Sequence, residues 1–237
     1  MAKERIDKLI ASQGMRSRSD AAKIIKSGKV CINGAVIKST SFKADPDTDS
    51  IVIDGERFAY KKFIYIMMNK PQGVVSASRD PKEKTVVDLV PEEMKRPELF
   101  PAGRLDKDTT GFVLITDDGA FAHYILSPKH HIDKTYLATT DTIIDESYLE
   151  QMRNGMASGD EVFLPAQIEL YENTDSPVYK ITLHEGKYHQ IKRMIAATNA
   201  TLLALKRISM GALSLDGSLL PGECKELSDK EVAQLKS

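Results

Sequence analysis

The feature that most constrains this chain is Gly103–Gly119, where a polar loop between glycines runs directly into an apolar segment. The loop carries Asp106 and Asp108, and Phe112–Ile115 has the apolar, partly β-branched composition of a buried strand. Asp117-Asp118-Gly119 then predicts a turn that caps a following helix. A charged loop anchored to a buried strand can hold a reactive carboxylate still. The alternative is that both loop aspartates are ordinary turn residues that bond their own backbone.

The composition is that of a globular protein with room for one large or two unequal domains. The chain has 237 residues, of which 41% are hydrophobic and 28% charged. No apolar run approaches the roughly 20 residues that cross a bilayer, and the N-terminus lacks the apolar core of a signal peptide. Cys31 and Cys224 form neither a disulfide framework nor a metal-ligand spacing. We therefore expect a cytoplasmic protein with no membrane partner.

Positive charge is concentrated at the N-terminus, although the whole chain has a net charge of only -1. Residues 1–43 contain ten lysines and arginines against three acids, a local excess of seven positive charges. A basic module on an otherwise balanced chain indicates a polyanionic partner. The alternative is a solvated basic face that binds nothing.

Two short helices followed by a hairpin are predicted within this basic region. Residues 3–13 place apolar side chains at helical spacing, and Ser17 or Ser19 can cap a second helix over residues 20–26. Residues 30–37 have Asn-Gly at their centre, which favours a tight hairpin turn. This order of elements resembles the small RNA-binding domain named after a ribosomal small-subunit protein, the S-four type.

In that domain the helices and the nearby loop present basic side chains to RNA phosphates. Such contacts supply affinity and positioning but do not select a sequence. We predict an S-four-like domain over residues 1–58, a linker at 59–62 and a larger domain over 63–237. The resemblance places Arg5, Lys8, Arg16, Arg18, Lys23 and Lys26 at the matching RNA-binding positions.

The larger domain is predicted to mix strands with helices, and residues 76–84 read as a polar loop. Strands are predicted at 63–68, 112–115, 134–139, 167–171, 178–183, 202–205 and 210–215, and helices after Thr85 and at 120–126, 145–154 and 228–236. Where a strand meets a helix, residues 185–194 place three basic side chains near the first turns: Lys187, Lys192 and Arg193. They either face a phosphate or carboxylate, or form a solvated basic surface.

Metal binding is not expected. The adjacent His130 and His131 cannot easily reach one ion, and no third ligand follows at a familiar spacing, so RNA-facing or structural roles are preferred. The other metal hypothesis is an acid-lined site. Its ligands would be Asp106, Asp108, Asp117 and Asp118.

Four segments together resemble the pseudouridine synthases of the RsuA type, which act on ribosomal RNA. They are the basic N-terminal module, Asn69–Gly73, Gly103–Gly119, and Lys134–Tyr136 taken with Gly186–Met194. Arg-Leu-Asp followed by Thr-Gly and an apolar strand is the most specific of these signatures. The resemblance implies an α+β fold: a small N-terminal RNA-binding α/β module followed by a larger mixed, mainly antiparallel sheet catalytic domain of the pseudouridine synthase type.

The resemblance also implies roles for individual residues. Asp106 corresponds to the catalytic aspartate, and Tyr136 to the tyrosine that packs on the target base. Lys192 corresponds to the basic residue paired with the aspartate, although the adjacent Arg193 could take its place. Arg104 corresponds to the arginine that helps hold the extruded nucleotide. Further RNA contacts are predicted for Lys70, Lys187 and Arg193.

The implied reaction explains these residue types. Turning uridine into pseudouridine breaks the N1–C1′ bond, rotates the uracil and joins C5 to C1′, with no redox change or net hydrolysis, so no cofactor is expected. The carboxylate can act as a nucleophile or as a base. The base must leave its stack before it can react, and an aromatic side chain offers the detached uracil a face on which to stack.

The segments at 102–106, 127–131 and 188–194 look more like the small-subunit enzyme than its large-subunit relatives. The chain is therefore predicted to be a monomeric isomerase that modifies 16S rRNA or a small-subunit assembly intermediate. The alternatives are a relative that acts on large-subunit rRNA or tRNA, and a non-catalytic ribosome-associated RNA-binding protein.

Overall fold

A computed structural model describes residues 3–14, 17–130, 132–159 and 161–237. The chain divides into two compact units. The first lies within Met1–Ile64 and Val90–Leu99, and the second comprises Tyr65–Leu89 and Phe100–Ser237. In the part of the chain that is described, no helix is long and apolar enough to cross a membrane.

In the first unit, two helices pack on small antiparallel sheets. Its elements are β1 (Glu4–Arg5), α1 (Ile6–Ser12), α2 (Arg18–Lys26), β2 (Val30–Ile32), β3 (Ala35–Ile37), β4 (Lys43–Ala44), β5 (Ile51–Ile53) and β6 (Glu56–Arg57). The strands pair in the order β3-β2-β5-β6, and β1 pairs with β4. Apolar side chains from both helices and the strands, among them Ile6, Leu9 and Ile25, form one buried core.

Local sequence signals account for the start of α2 and for the turn between β2 and β3. Ser17, rather than Ser19, caps α2, because its hydroxyl accepts a hydrogen bond from the Asp20 amide at 3.1 Å. Asn33 and Gly34 have φ values of 51° and 81°, the left-handed pair that a tight primed turn requires. The predicted hairpin turn is confirmed.

Residues 90–99 belong to the first unit, although they follow the first strand of the second. Their anchor is the buried guanidinium of Arg96, which donates to the carbonyl of Lys61 at 3.1 Å and to Oε1 of Gln13 at 3.2 Å. A single domain boundary in the sequence cannot describe this arrangement, because the chain leaves the first unit and later contributes residues 90–99 to it. The predicted limits at 58 and 63, with a linker at 59–62, stay a prediction.

The second unit is built on a large mixed sheet. Its strands are β7 (Tyr65–Lys70), β8 (Phe100–Ala102), β9 (Thr110–Thr116), β10 (Lys134–Thr140), β11 (Ala157–Ser158), β12 (Glu161–Val162), β13 (Gln167–Glu172), β14 (Val178–Leu183), β15 (Leu202–Met210), β16 (Leu213–Ser214) and β17 (Cys224–Glu226). Its helices are α3 (Gly119–Leu126), α4 (Glu146–Asn154), α5 (Gln190–Ala196) and α6 (Asp229–Gln234). Short 3₁₀ turns lie at Val87–Leu89 and Pro128–His130, and another, Glu92–Met94, belongs to the first unit.

The strand order of the large sheet is β13-β14-β10-β15-β9-β7-β17, with β16 beside β15 and β8 beside β9. Among the described residues, its neighbouring strands are antiparallel except β9 and β15, which run parallel. The hairpin of β11 and β12 is separate. The predicted α+β fold, with its mixed and mainly antiparallel sheet, is confirmed.

Strand β9 lies inside this sheet, and Phe112–Ile115 are fully buried, as their composition predicted. Asp118 then caps α3 by accepting from the Phe121 amide at 3.0 Å, and it also accepts from the hydroxyl of Tyr65 at 2.7 Å. The predicted bounds were wrong for the strands at 202–205 and 210–215, because β15 continues to Met210 and only Leu213–Ser214 of the second segment forms a separate strand, β16. The centre of β15 contains Lys206 and Arg207, and the burial of Arg207 was not visible in the hydropathy pattern.

Candidate active site

A cleft in the second unit opens at the loop between β8 and β9. One wall is this loop, another is β10, and a third is the segment that leads into α5. The residues that matter for its chemistry are Arg104, Asp106, Tyr136, Leu183, Lys192 and Leu205.

Asp106 stands at the centre of the charged part of this cleft, with about a third of its side chain exposed. Its Oδ2 lies 3.0 Å from Nζ of Lys192, and its Oδ1 lies 3.2 Å from Nε2 of His189. The same ammonium lies 2.6 Å from Oδ1 of Asp108. One cation therefore bridges the two loop carboxylates that the sequence presented as alike.

The bridge shifts the pKa values of Lys192 and Asp108. Burial lowers the pKa of Lys192, but the hydrogen bonds to Asp108 and Asp106 and the negative charges of these two residues together outweigh burial and raise it. The hydrogen bond from Lys192 lowers the pKa of Asp108, against a smaller opposing effect of burial. Lys192 thus remains a cation at neutral pH and can stabilise negative charge on a neighbouring carboxylate.

Arg193, the neighbour of Lys192, faces the β11–β12 hairpin. Its guanidinium pairs with Glu161, donates to the carbonyl of Ser158 at 2.6 Å, and lies 4.8 Å from the ring centroid of Phe163. The structure therefore brings Lys192, and not Arg193, to Asp106.

Lys187 lines the cleft, but its ammonium donates to the carbonyl of Val162 at 2.5 Å and lies over the Phe163 ring. The segment around it is held by the buried carboxylate of Glu185, which accepts from Nε2 of Gln190 at 2.7 Å and from the Leu164 amide at 2.9 Å. Both Lys187 and Arg193 thus have partners within the protein. Their predicted RNA contacts are not tested by these contacts.

Backbone contacts tie down the loop that carries Asp106. The hydroxyl of Ser76 donates to the carbonyl of Leu105 at 2.9 Å and accepts from the Leu105 amide at 3.0 Å. The Gly73 amide donates to the carbonyl of Lys107 at 2.8 Å. Ser76 is buried, so the start of the predicted polar loop at 76–84 is part of the support for the site.

Lys70 completes this support, and the prediction that it contacts RNA was wrong. Its side chain is 0% exposed, and Nζ donates to the carbonyls of Thr109, Pro71 and Lys107 at 2.8, 3.1 and 3.3 Å. Burial lowers the pKa of Lys70 to about 8, although Asp108 and Asp106 oppose this effect. Lys70 binds the underside of the loop, where RNA cannot reach it.

Tyr136 is 8% exposed and lies on β10, opposite Ile181 of β14 and Arg207 of β15. Its ring lines the cleft together with Leu183 and Leu205, an apolar wall suited to a planar base. The buried hydroxyl of Thr109, also on this cleft, has no hydrogen-bond partner among the described residues.

Gly111 lets β9 approach β15 beside this wall. It has a φ of 96°, and a Cβ there would lie 2.2 Å from the carbonyl oxygen of Arg207. The Nε of Arg207 on β15 donates to the carbonyl of Phe112 on β9 at 2.7 Å, which adds a side-chain hydrogen bond between the same two strands. Any larger side chain at position 111 would force the two strands apart.

Arg104 was predicted from the sequence as a site residue, whereas His189 was not. Arg104 is exposed at the mouth of the cleft, a position open to a nucleotide. His189 was missed as a site residue, because neither its left-handed backbone (φ 50°) nor its contact with Asp106 is encoded by local pattern. Its sequence signal was its place in Gly186–Met194, one of the segments that carry the family resemblance.

The predicted RNA-binding side chains of the first unit all lie on its surface, apart from Arg16, which is outside the described residues. Most of them pair with a nearby acid. Arg5 and Arg18 lie 2.8 and 3.3 Å from Asp7, Lys8 lies 3.2 Å from Glu4, Lys23 lies 2.9 Å from Asp20, and Lys26 is exposed.

The structure does not bring together the ligands of either metal hypothesis, the histidine pair or the four aspartates, among the residues it describes. Within the described ranges, no three His, Cys, Asp or Glu side chains are grouped so that they could hold an ion. Asp118 faces α3 and Tyr65, away from the bridge at Lys192. His130 stacks on Tyr124 with a centroid distance of 3.8 Å, and His131 lies outside the described residues.

The chain is similar to known proteins over nearly all of its length. A family model described as RNA pseudouridylate synthase matches residues 64–197, and the model of the S4 domain matches residues 4–49. Uncharacterized RNA pseudouridine synthase YtzG of Bacillus subtilis (strain 168) is 45% identical over 96% of both chains. Ribosomal small subunit pseudouridine synthase A of Escherichia coli (strain K12) is 39% identical over 98% of this chain and 99% of its own.

A crystal structure of a pseudouridylate synthase superposes on this chain with a TM-score of 0.66, at 38% identity, covering 98% of this chain and 99% of the other. The family match spans more than half of the chain, and the relatives extend over nearly all of it. This chain belongs to the RNA pseudouridylate synthase family, enzymes that isomerise uridine in RNA to pseudouridine, and it carries an S4 domain at its N-terminus.

Proposed function

We propose that this enzyme converts a uridine of 16S rRNA, in free RNA or in a small-subunit assembly intermediate, into pseudouridine. The relative named for the small ribosomal subunit extends over nearly the full length of both chains, which supports this substrate. The segments at 102–106, 127–131 and 188–194 support it as well. Because the proposed substrate is ribosomal RNA, we also propose that the enzyme acts in the cytoplasm, and as a monomer.

The observation that carries the mechanism is the 3.0 Å contact between Lys192 and Asp106 in a cleft lined by Tyr136. The Asp106 carboxylate either attacks C1′ of the ribose or removes a proton from C2′. In both routes the N1–C1′ bond breaks and its electron pair passes to the uracil. The uracil then turns and C5 bonds to C1′. This displaces the Asp106 carboxylate from C1′ in the first route, and in the second route the proton returns to C2′. The proton lost from C5 is balanced by one gained at N1.

The surrounding side chains divide the remaining tasks. Lys192 supplies Asp106 with a counterion at 3.0 Å in a partly buried site. Tyr136 offers the detached uracil a buried aromatic face while it turns. Arg104, at the mouth, holds the nucleotide after it has left its stack. Asp108 shares Lys192 and supports the loop, but it takes no part in bond breaking.

The first unit contributes affinity. Its exposed basic side chains, Arg5, Lys8, Arg18, Lys23 and Lys26 with Arg16 added from the sequence, contact RNA phosphates. Contacts of this kind do not choose a uridine, so the selection of the target falls to the second unit and to the shape of the RNA.

The deciding experiment maps pseudouridine in both rRNAs of a strain that lacks this gene. We expect one site to vanish from 16S rRNA, to return with the wild-type gene and with Asp108→Asn, and to stay absent with Asp106→Asn. Loss from large-subunit rRNA alone would contradict the proposed substrate. Return of the site with Asp106→Asn would mean that the protein binds RNA without catalysing the reaction.

A further inference from the structure

The cleft at Asp106 continues into a second depression on the side away from Tyr136. The two share Arg104, Leu105, Asp106 and His189, so the catalytic carboxylate lies where they meet. The second depression is completed by residues from three segments: Val75, Ser76, Asp80, Lys107 and Tyr188. An RNA strand that placed its target base at Tyr136 would have this depression within reach of the nucleotides next to the target.

Tyr188 is the unusual side chain of this depression. It is 75% exposed, whereas Tyr136 is 8% exposed and Tyr179 is buried. One face of its ring stacks on His189, with the centroids 3.8 Å apart and the planes 19° from parallel. So large an exposure leaves the other face open to solvent.

The stack is anchored to the catalytic group. His189 is held in a left-handed backbone conformation, and its Nε2 lies 3.2 Å from Oδ1 of Asp106. The Tyr188 ring is therefore supported from behind by a side chain that touches the reacting carboxylate. An aromatic platform at this place has a defined position relative to the reaction.

The charges around the platform are mixed, because the exposed Arg104 lies on the same walls as two acids. Asp80 and Asp106 are both on its walls. Lys107, the nearest lysine of the loop, is paired with Glu83 at 2.8 Å. The exposed aromatic face itself suits an uncharged, planar ligand, and an unpaired nucleobase is the planar group that RNA offers.

We propose that the exposed face of Tyr188 is a stacking site for an unpaired nucleobase adjacent to the target uridine. This inference rests on the proposed function, because it requires that a uridine of RNA reacts at Asp106. Stacking accepts any base, so the site contributes affinity and register without selecting a sequence.

The test uses RNA oligonucleotides around the uridine found by the rRNA map, with each neighbouring nucleotide in turn replaced by 2-aminopurine or by an abasic residue. Binding, KM and kcat are measured for the wild type, Tyr188→Leu, Tyr188→Phe and Tyr171→Leu. Tyr171 is a matched control, because it is a tyrosine on β13 that is 54% exposed and lies outside both depressions.

We expect Tyr188→Leu to raise KM and the dissociation constant about tenfold, since a base loses its aromatic partner, with a much smaller change in kcat. Tyr188→Phe should restore binding, and Tyr171→Leu should match the wild type. At one neighbouring position, 2-aminopurine should be quenched by the wild type but not by Tyr188→Leu. The abasic residue at that position should weaken the wild type and add nothing to Tyr188→Leu.

Three outcomes would overturn the inference: unchanged binding in Tyr188→Leu, additive effects of the abasic residue and Tyr188→Leu at every neighbouring position, or a fall in kcat alone. The last would mean that Tyr188 acts only by supporting His189. A map that finds the target in large-subunit rRNA would contradict the proposed function instead. The same oligonucleotide design around that uridine would still decide whether a base stacks on Tyr188.

Discussion

The two units of this enzyme hold their charged side chains in opposite ways. In the first unit, two exposed lysines pair with acids three or four positions away: Lys8 with Glu4, and Lys23 with Asp20. In the second unit, Lys192 pairs with Asp108, which lies 84 positions earlier in the chain. Exposed local pairs contribute little stability and are easily exchanged for a phosphate. The long-range pairs of Lys192 instead hold the Asp106 loop against α5. Variants of single residues can test this difference between the two units.

The largest effect is expected at the centre of the fixed geometry. Asp106→Asn should lower kcat for pseudouridine formation by about 10³-fold or more, because the amide can neither attack nor accept a proton. RNA binding should remain within a few-fold of the wild type. Turnover on rRNA transcripts, with filter binding in parallel, measures both quantities.

Asp108→Asn is the matched control for this change, since both carboxylates contact Lys192. Its kcat should fall less than about tenfold. Equal losses in the two variants would show that the carboxylates do not have the separate roles that we infer from their positions.

The next largest effect separates two adjacent cations. Lys192→Met removes the partner of Asp106 and should lower kcat by about 10²-fold, since a charge in a partly buried site then lacks its counterion. Arg193→Met breaks the hydrogen bonds and ion pair with Ser158 and Glu161 and should lower thermal stability, with a loss in kcat of less than about tenfold. A larger kcat loss for Arg193→Met than for Lys192→Met would reverse the assignment.

Lys70 extends the comparison to a charge held below the loop. Lys70→Met removes the donor to three loop carbonyls and should lower kcat about tenfold, because the loop that carries Asp106 loses its anchor. Steady-state turnover at pH 7, with circular dichroism as the control for folding, measures this effect. A kcat equal to that of the wild type would show that the contacts of Ser76 and Gly73 hold the loop without Lys70.

Lys70→Met should also change how the free energy of unfolding depends on pH. The folded pKa of Lys70, about 8, lies below its ordinary value of 10.5, so the unfolded chain binds more protons between these limits. The free energy of unfolding of the wild type should therefore rise with pH across this window, relative to Lys70→Met, by about 2 to 3 kcal/mol. Denaturant titrations at pH 7, 9 and 10 give the difference, and parallel curves would contradict it.

The smallest effect is expected from the exposed charges of α2. Changing both Lys23 and Lys26 to Gln should weaken RNA binding about fivefold near physiological salt and reduce the slope of log affinity against log salt by about one to two, since each lysine neutralises about one phosphate. Lys180→Gln is the control, because Lys180 is a comparable surface lysine, paired with Glu169 on the second unit. An unchanged slope in the double variant would argue against phosphate binding by α2.

Several features of the fold could be predicted because their causes are local. The buried strand at Phe112–Ile115 is visible as an apolar run, and the cap at Asp118 and the turn at Asn33-Gly34 depend on interactions within a few residues. The position of Asp106 came from resemblance to a family, not from periodicity. The division between the units was less visible, because residues 90–99 return to the first unit through Arg96.

The sequence by itself thus determined most of the elements, the basic N-terminal module and the loop that carries the reactive carboxylate. Only the tertiary structure decided that Lys192 faces Asp106 while Arg193 turns to the β11–β12 hairpin, that Lys70 lies beneath the loop, and that His189 joins the site. Successive residues on a helix point about 100° apart. Which of two adjacent cations meets an aspartate therefore depends on how α5 is set against the sheet, and contacts among distant segments set that angle.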